Sequence, residues 1–277
     1  MPEEPNVHVY AEQLAGAFEG NAITEISTTL TKGTDTFDPS VTRINAVGSH
    51  GKYMWVEFDK NMALSMHFGL EVRFIYSPKK PSPVPKCSVL FGGTEAGTGG
   101  PLWLCVTFPP HAHGKANFCV LDECLNHARK LGPSIWDINN NGSCPAKEFQ
   151  TRIQGGPLAA GKKRKRGKNI CVALMDQHIV SGIGNYIKCE ALHAAHIHPM
   201  ASTEDLSDGD YASLWKGVWD IAWTAYNIHL ADTSKGATQY QKLLGDMFLV
   251  YKKGGALKTP DGRKTYMDES TQIIGMK

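Results

Sequence analysis

The sequence predicts an α+β protein of two domains: a helix packed on a β-sandwich or barrel, then a helical domain closed by a terminal β-hairpin. Three observations carry this. A chain of 277 residues exceeds the roughly 250 residues at which single cores stop growing. Short β-rich runs separated by Gly, Pro and Asp/Asn turns fill residues 22–119. After Leu131-Gly132-Pro133 the apolar residues recur every third or fourth position, the helical period.

The elements follow in order. Val7, Tyr10, Leu14 and Phe18 lie at helical spacing, so an extended tip carrying Pro2 and Glu3 is expected to project ahead of an amphipathic helix. The runs AITEISTTL, INAVGS, YMWVEF, ALSMHF, EVRFIY, CSVLFG, LWLCVTF and NFCVL read as strands. PAKEFQTRI, ICVALMDQHIV, NYIKCEALHAAHI and DYASLWKGVWDIAWTAYNI read as helices, the last with Ser207 or Asp208 as N-cap. From Phe248 the β-type residues return around a Pro-Asp-Gly turn, the pattern of a small hairpin. The expected divisions are therefore 1–128, 129–247 and 248–277.

Bulk properties narrow the class. A hydrophobic share of 42% suffices for ordinary cores, and a net charge of +2 gives no global preference for a polyanion, so a nucleic-acid surface must come from local clustering. Seven cysteines without a C-x-x-C pair read as free thiols in a reducing compartment and argue against a zinc module. No apolar stretch is long enough for a membrane span and no secretory leader is recognisable, so a soluble intracellular monomer is expected. The run Lys162 to Lys168 is an exposed basic loop, read equally as a nuclear-localisation signal, a phosphate-binding loop or a solvated linker. Trp215, Trp219 and Trp223, at i, i+4 and i+8, read as core, and His193, His196 and His198, without carboxylate or cysteine partners, as packing or surface residues.

Two places carry chemistry. Removal of Met1 would expose the ring nitrogen of Pro2, and an α-amine with a pKa of about 7.7–8.0 is far more often unprotonated at neutral pH than a lysine at about 10.4. Such an amine can attack a sugar C1′, with Glu3 beside it as acid or base. The second place is Ser181-Gly182-Ile183-Gly184-Asn185-Tyr186. Its glycines let a turn between helices approach a phosphate, which Asn185 and the N–H groups of the next helix can bind.

The combination of P-E at 2–3, G-K-Y-M-W-V-E-F at 51–58, H-F-G-L at 67–70, L-G-P at 131–133 and L-M-D-Q-H-I-V-S-G-I-G-N-Y-I…E-A-L…A-H-I-H-P at 174–199 resembles the family of formamidopyrimidine-DNA glycosylases and endonuclease VIII. The resemblance implies a helix-two-turn-helix element over 174–199 and a base-excision enzyme without external cofactor. Pro2 would displace an oxidised base and Glu3 assist, Lys52 and Asn185, with Gly184 beside it, would hold phosphates, and the strand would be cut by β,δ-elimination. The implied partner is damaged DNA, duplex or single-stranded. Lys52 also admits the reading of a solvated strand lysine.

Three departures stand out. No cysteine follows Cys189, so the family's four-cysteine zinc hairpin has no ligands and no zinc is expected, while R-K-T-Y-M-D-E-S-T-Q at 263–272 fits a "zincless" finger. Arg263 is then either the phosphate-gripping finger arginine or a member of the Pro-Asp-Gly-Arg turn. Asn6 stands where the family has a second glutamate. Leu70, His111 and His113 occupy the positions of residues that fill the gap left by an extruded base, which suggests altered opposite-base discrimination and a preference for already destabilised lesions or single strands, while the resemblance itself implies hydantoins and oxidised pyrimidines before 8-oxoguanine. The competing functional reading is a catalytically weakened DNA-damage-binding protein of the same fold. An RNA adaptor built on the basic loop finds no RNA motif.

Overall fold

The computed structural model describes residues 3–20, 22–28, 43–68, 73–83, 88–94, 100–107, 115–140, 144–155, 168–231 and 237–273. Pro2, Leu70, His111, His113 and 162–167 of the basic run lie outside these. The chain divides into one unit of Asn6–Ala128 and a second of Glu3–Pro5 with Arg129–Lys277.

In the first unit, helix α1 (Glu4–Phe18) contributes Val7, Ala11, Leu14 and Phe18 to a core shared with two antiparallel sheets. One sheet pairs β1 (Ile23–Thr28), β6 (Ser88–Thr94), β7 (Pro101–Thr107) and β5 (Arg73–Ser77) in that order. The other pairs β2 (Ile44–His50), β3 (Tyr53–Phe58), β4 (Met62–His67) and β8 (Lys115–Val120). Alternation decides which residues meet: Met54, Val56 and Phe58 of β3 and Ala116 and Phe118 of β8 enter the core, and the residues between them face outward. Tyr10 completes the seal by stacking on Phe74 with ring centroids 4.4 Å apart. Gly51 and Lys52 form the two-residue β2–β3 turn, with Gly51 leading at a φ of 59°. Helix α2 (Leu121–Arg129) follows β8 directly.

The second unit is built from α3 (Ile135–Asn140), α4 (Pro145–Ile153), α5 (Ile170–Met175), α6 (Asn185–Ala194), α7 (Asp208–Ala231) and α8 (Ala237–Met247), and closes with a hairpin of β9 (Gly255–Lys258) and β10 (Lys264–Met267). Pro145 starts α4, where a missing N–H costs nothing. Asn169 caps α5 by accepting from the N–H groups of Cys171 and Val172 at 3.0 and 3.3 Å. A capping box starts α7: the Ser207 hydroxyl accepts from the Asp210 N–H at 3.2 Å and the Asp210 carboxylate from the Ser207 N–H at 2.8 Å. Ser207 is thus the N-cap.

Three expectations are corrected. Helix α5 stops at Met175 instead of continuing through Asp-Gln-His-Ile-Val, because Asp176 turns extended and Gln177 captures the local backbone groups. Its amide donates to the carbonyls of Met175 and Ile183 at 3.1 and 3.0 Å and accepts from the Gly182 N–H at 2.9 Å. The tryptophan stripe is only partly core. Trp215 is buried, whereas Trp223 is 49% exposed and stacks between Trp219 and Tyr226. Finally, Glu3 does not project from a tip. It is fully buried, and α1 begins at Glu4 with Pro5 in its first turn.

His229, buried on α7, yields a test of the packing. Burial lowers its pKa from 6.5 to about 4. The neutral ring is the folded form, so the unfolded chain takes up the proton first as pH falls below 6.5, and stability drops between pH 6.5 and 4. The loss should be on the order of 3 kcal/mol for this group, read as a falling melting temperature whose slope His229→Leu flattens. An equally steep slope in that variant would contradict the assignment.

Candidate functional site

The site is organised around the turn between α5 and α6. The carboxylate of Glu3 sits on the N-terminus of α6: Oε1 accepts from the Tyr186 N–H at 2.9 Å, and Oε2 from those of Gly184 and Ile187 at 3.0 and 3.2 Å. These are donors that a helix start leaves without intrahelical partners, and the helix dipole adds to their attraction for an anion. Gly184 is required there, because a Cβ would fall 2.1 Å from the Glu3 Cδ. Glu4 locks the same segment from the other side. Its N–H donates to the Gly182 carbonyl at 3.2 Å and its Oε2 accepts from the Ile135 N–H at 2.8 Å. A Cβ on Gly182, whose φ is 102°, would meet that oxygen at 2.1 Å. The two glycines of the motif thus serve the close approach of two buried carboxylates.

Asn185 is the first residue of α6. Its Nδ2 donates to the Lys264 carbonyl at 3.0 Å, which ties the turn to β10. The hairpin is held on α6 by ionic and polar contacts that the sequence reading missed. Lys188, fully buried, reaches Asp261 with Nζ 2.6 Å from Oδ2, and the Asp261 side chain is itself only 4% exposed. Burial alone would raise the Asp261 pKa, but the bonds from Lys188 and Thr259 outweigh it and hold the carboxyl below its usual range. The other oxygen of Asp261 accepts from the Arg263 N–H at 3.3 Å, and the Arg263 carbonyl accepts from the Thr259 N–H at 3.1 Å. Thr259-Pro260-Asp261-Gly262 is a β-turn closed by Gly262 N–H to Thr259 carbonyl at 2.9 Å, with Gly262 at a φ of 78°. Arg263 therefore lies in the hairpin turn just ahead of β10, with an exposed side chain and a fixed backbone.

Glu190 does for the chain entering the hairpin what Glu3 does for α6. Buried, it accepts from the N–H groups of Leu249, Val250 and Tyr251 at 2.9, 2.9 and 2.7 Å. The available signal was Lys188 and Glu190 themselves, two charges in a helix otherwise buried from Asn185 to Leu192. Of the three histidines, His196 takes a φ of 55° at the end of α6, and His198 accepts from the Met200 N–H at 3.1 Å; neither is part of the turn. Among the described residues no group of three or more His, Cys, Asp or Glu could hold a metal ion. Lys52 belongs to the first unit, on the β2–β3 turn, and is half-buried.

A helix, a glycine turn and a second helix, preceded by a sheet domain and followed by a β-hairpin, define a helix-two-turn-helix protein. Two family models match: "Formamidopyrimidine-DNA glycosylase N-terminal domain" over residues 1–97 and "Formamidopyrimidine-DNA glycosylase H2TH domain" over 149–234, between them more than half of the chain. The formamidopyrimidine-DNA glycosylase of Gluconobacter oxydans is 26% identical over 92% of this chain and 89% of its own. That of Pelotomaculum thermopropionicum is 25% identical over 80% and 76%. In fold the chain is similar to the Lactococcus lactis formamidopyrimidine-DNA glycosylase crystallised non-covalently bound to DNA containing an AP site, with a TM-score of 0.73, 21% identity and coverage of 98% and 99%. The chain belongs to the formamidopyrimidine-DNA glycosylase and endonuclease VIII family.

Proposed function

We propose that this protein is a base-excision DNA glycosylase with AP-lyase activity whose nucleophile is the Pro2 amine. The observation that carries the reading is the anchoring of Glu3, the next residue in the chain, on the very turn that presents Asn185. The Pro2 nitrogen forms a bond to C1′ as the C1′–base bond breaks, and the base leaves with a proton. The C1′–O4′ bond of the resulting aminal then breaks, O4′ taking up a proton as the sugar ring opens, and the nitrogen lone pair forms an iminium that acidifies the C2′ proton. Its removal expels the 3′ phosphate, and a second elimination expels the 5′ phosphate. Glu3 supplies a fixed negative charge that stabilises the cationic intermediate and assists the proton transfers. Asn185, Lys52 and Arg263 hold phosphates, and Arg263 stands on a zincless finger in which Lys188 and Asp261 do the fastening.

Incision of duplexes carrying an abasic site, an oxidised pyrimidine or a hydantoin tests the reading. Cleavage with a product modified at both ends of the gap is expected, and salt-sensitive binding without cleavage would identify a damage-binding protein instead. Arg263→Ala should weaken binding to abasic DNA by about 1.5–3 kcal/mol, the range for a charge-assisted hydrogen bond. Unchanged affinity would assign Arg263 to the turn alone.

A further inference from the structure

Outside this site, the outward face of the β2-β3-β4-β8 sheet carries a second concentration of reactive groups. The register sets Tyr53 opposite His67 and His67 opposite Lys115, and because Ala116 and Phe118 enter the core, Lys115 and Cys119 point the other way. There they meet α2 across a cavity of about 300 Å³ lined by Tyr53, His67, Lys115, Cys119, Cys124 and His127, among others. The Tyr53 hydroxyl lies 3.0 Å from the Cys124 sulfur, and the Cys124 and Cys119 thiols hydrogen-bond one another. The two thiols are unequal. The bond from Cys124 lowers the pKa of Cys119 against the opposing effect of burial, whereas the same bond and burial raise that of Cys124. Both side chains are otherwise buried, at 7% and 1% exposure, so the cavity is their opening to solvent.

We propose that Cys119 and Cys124 form a modification site, a dithiol that hydrogen peroxide converts to an intramolecular disulfide with Cys119 as the attacking and Cys124 as the resolving sulfur. The Cys119 thiolate attacks one peroxide oxygen; an S–O bond forms, the O–O bond breaks, and the departing hydroxide is protonated to water. The Cys124 sulfur then attacks the sulfenic acid. An S–S bond forms, the S–O bond breaks, and the hydroxyl leaves as a second water with the proton of Cys124. Two thiols are oxidised and one peroxide is reduced to two waters. The thiol whose pKa is lowered attacks as its thiolate, and the second sulfur lining the same cavity captures the product before further oxidation.

Both cysteines fall in one tryptic peptide, residues 116–129, so the test is direct and needs no DNA. The full chain is treated with stoichiometric hydrogen peroxide, alkylated, digested and weighed. The expected peptide is unalkylated at both cysteines and two hydrogens lighter than the dithiol, and dithiothreitol restores double alkylation. Cys124→Ser should arrest Cys119 as a sulfenic acid captured by dimedone, and Cys119→Ser should leave Cys124 alkylated as in the untreated chain. Treated wild-type chain with both cysteines still alkylated while the exposed Cys144 is oxidised would overturn the proposal, as would direct passage of Cys119 to the sulfinic acid.

Discussion

An uncleavable tag ahead of Pro2 is expected to abolish incision of abasic-site DNA while leaving DNA affinity within a few-fold of the untagged chain. A terminal proline nitrogen keeps its lone pair for bonding, but once acylated by a preceding residue that pair is delocalised into an amide and cannot attack C1′. A lysine is a poor substitute: at pH 7 the α-amine is unprotonated several hundred times more often, given pKa values of about 7.7–8.0 against about 10.4. Binding is assigned to other groups, Asn185, Lys52 and Arg263, so it should survive. Pro2→Gly should retain part of the activity, since any terminal amine can form an imine. Full incision by the tagged chain would assign the chemistry to a lysine, with Lys52 the first to examine.

The second large effect is expected at Lys188. Removing a cation that lies fully buried against Asp261 leaves a carboxylate stranded out of water, a loss of about 3–5 kcal/mol, where an exposed pair would contribute at most about 1 kcal/mol. Lys188→Ala should therefore lower the melting temperature by roughly 10 °C. It should also weaken binding to abasic DNA, because Asp261 fixes the backbone of Arg263. Lys188→Met combined with Asp261→Asn removes both charges and keeps the turn, and should recover most of the stability, as neutral replacements of buried ion pairs commonly do. Wild-type melting of Lys188→Ala would show that the pair contributes nothing and that the hairpin is held otherwise.

What the sequence made legible was whatever depends on local pattern. The strands of the sandwich follow from alternation, and α1 from the spacing of Val7, Leu14 and Phe18, which all reach the core. The Gly-Ile-Gly-Asn turn is legible because its glycines tolerate what other residues do not. Their occupants were not legible: Glu3 bonds to N–H groups of residues 181 to 184 positions away, and no periodicity connects the two ends of that span. The premature end of α5 escaped for a related reason. The apolar pattern continues past Met175, but Gln177 gives the backbone other partners. Lys188 and Glu190 read as ordinary helix charges until the hairpin supplies Asp261 and the chain entering it supplies the N–H groups of Leu249, Val250 and Tyr251.

In the proposed mechanism a covalent bond joins the protein to deoxyribose at residue 2. Borohydride reduction during turnover of abasic-site DNA, followed by digestion and mass mapping of the adduct, reads this bond directly. The sugar remnant is expected on the N-terminal peptide, at the Pro2 nitrogen. A reduced adduct on a lysine instead, or strand cleavage with no adduct at all, would contradict it.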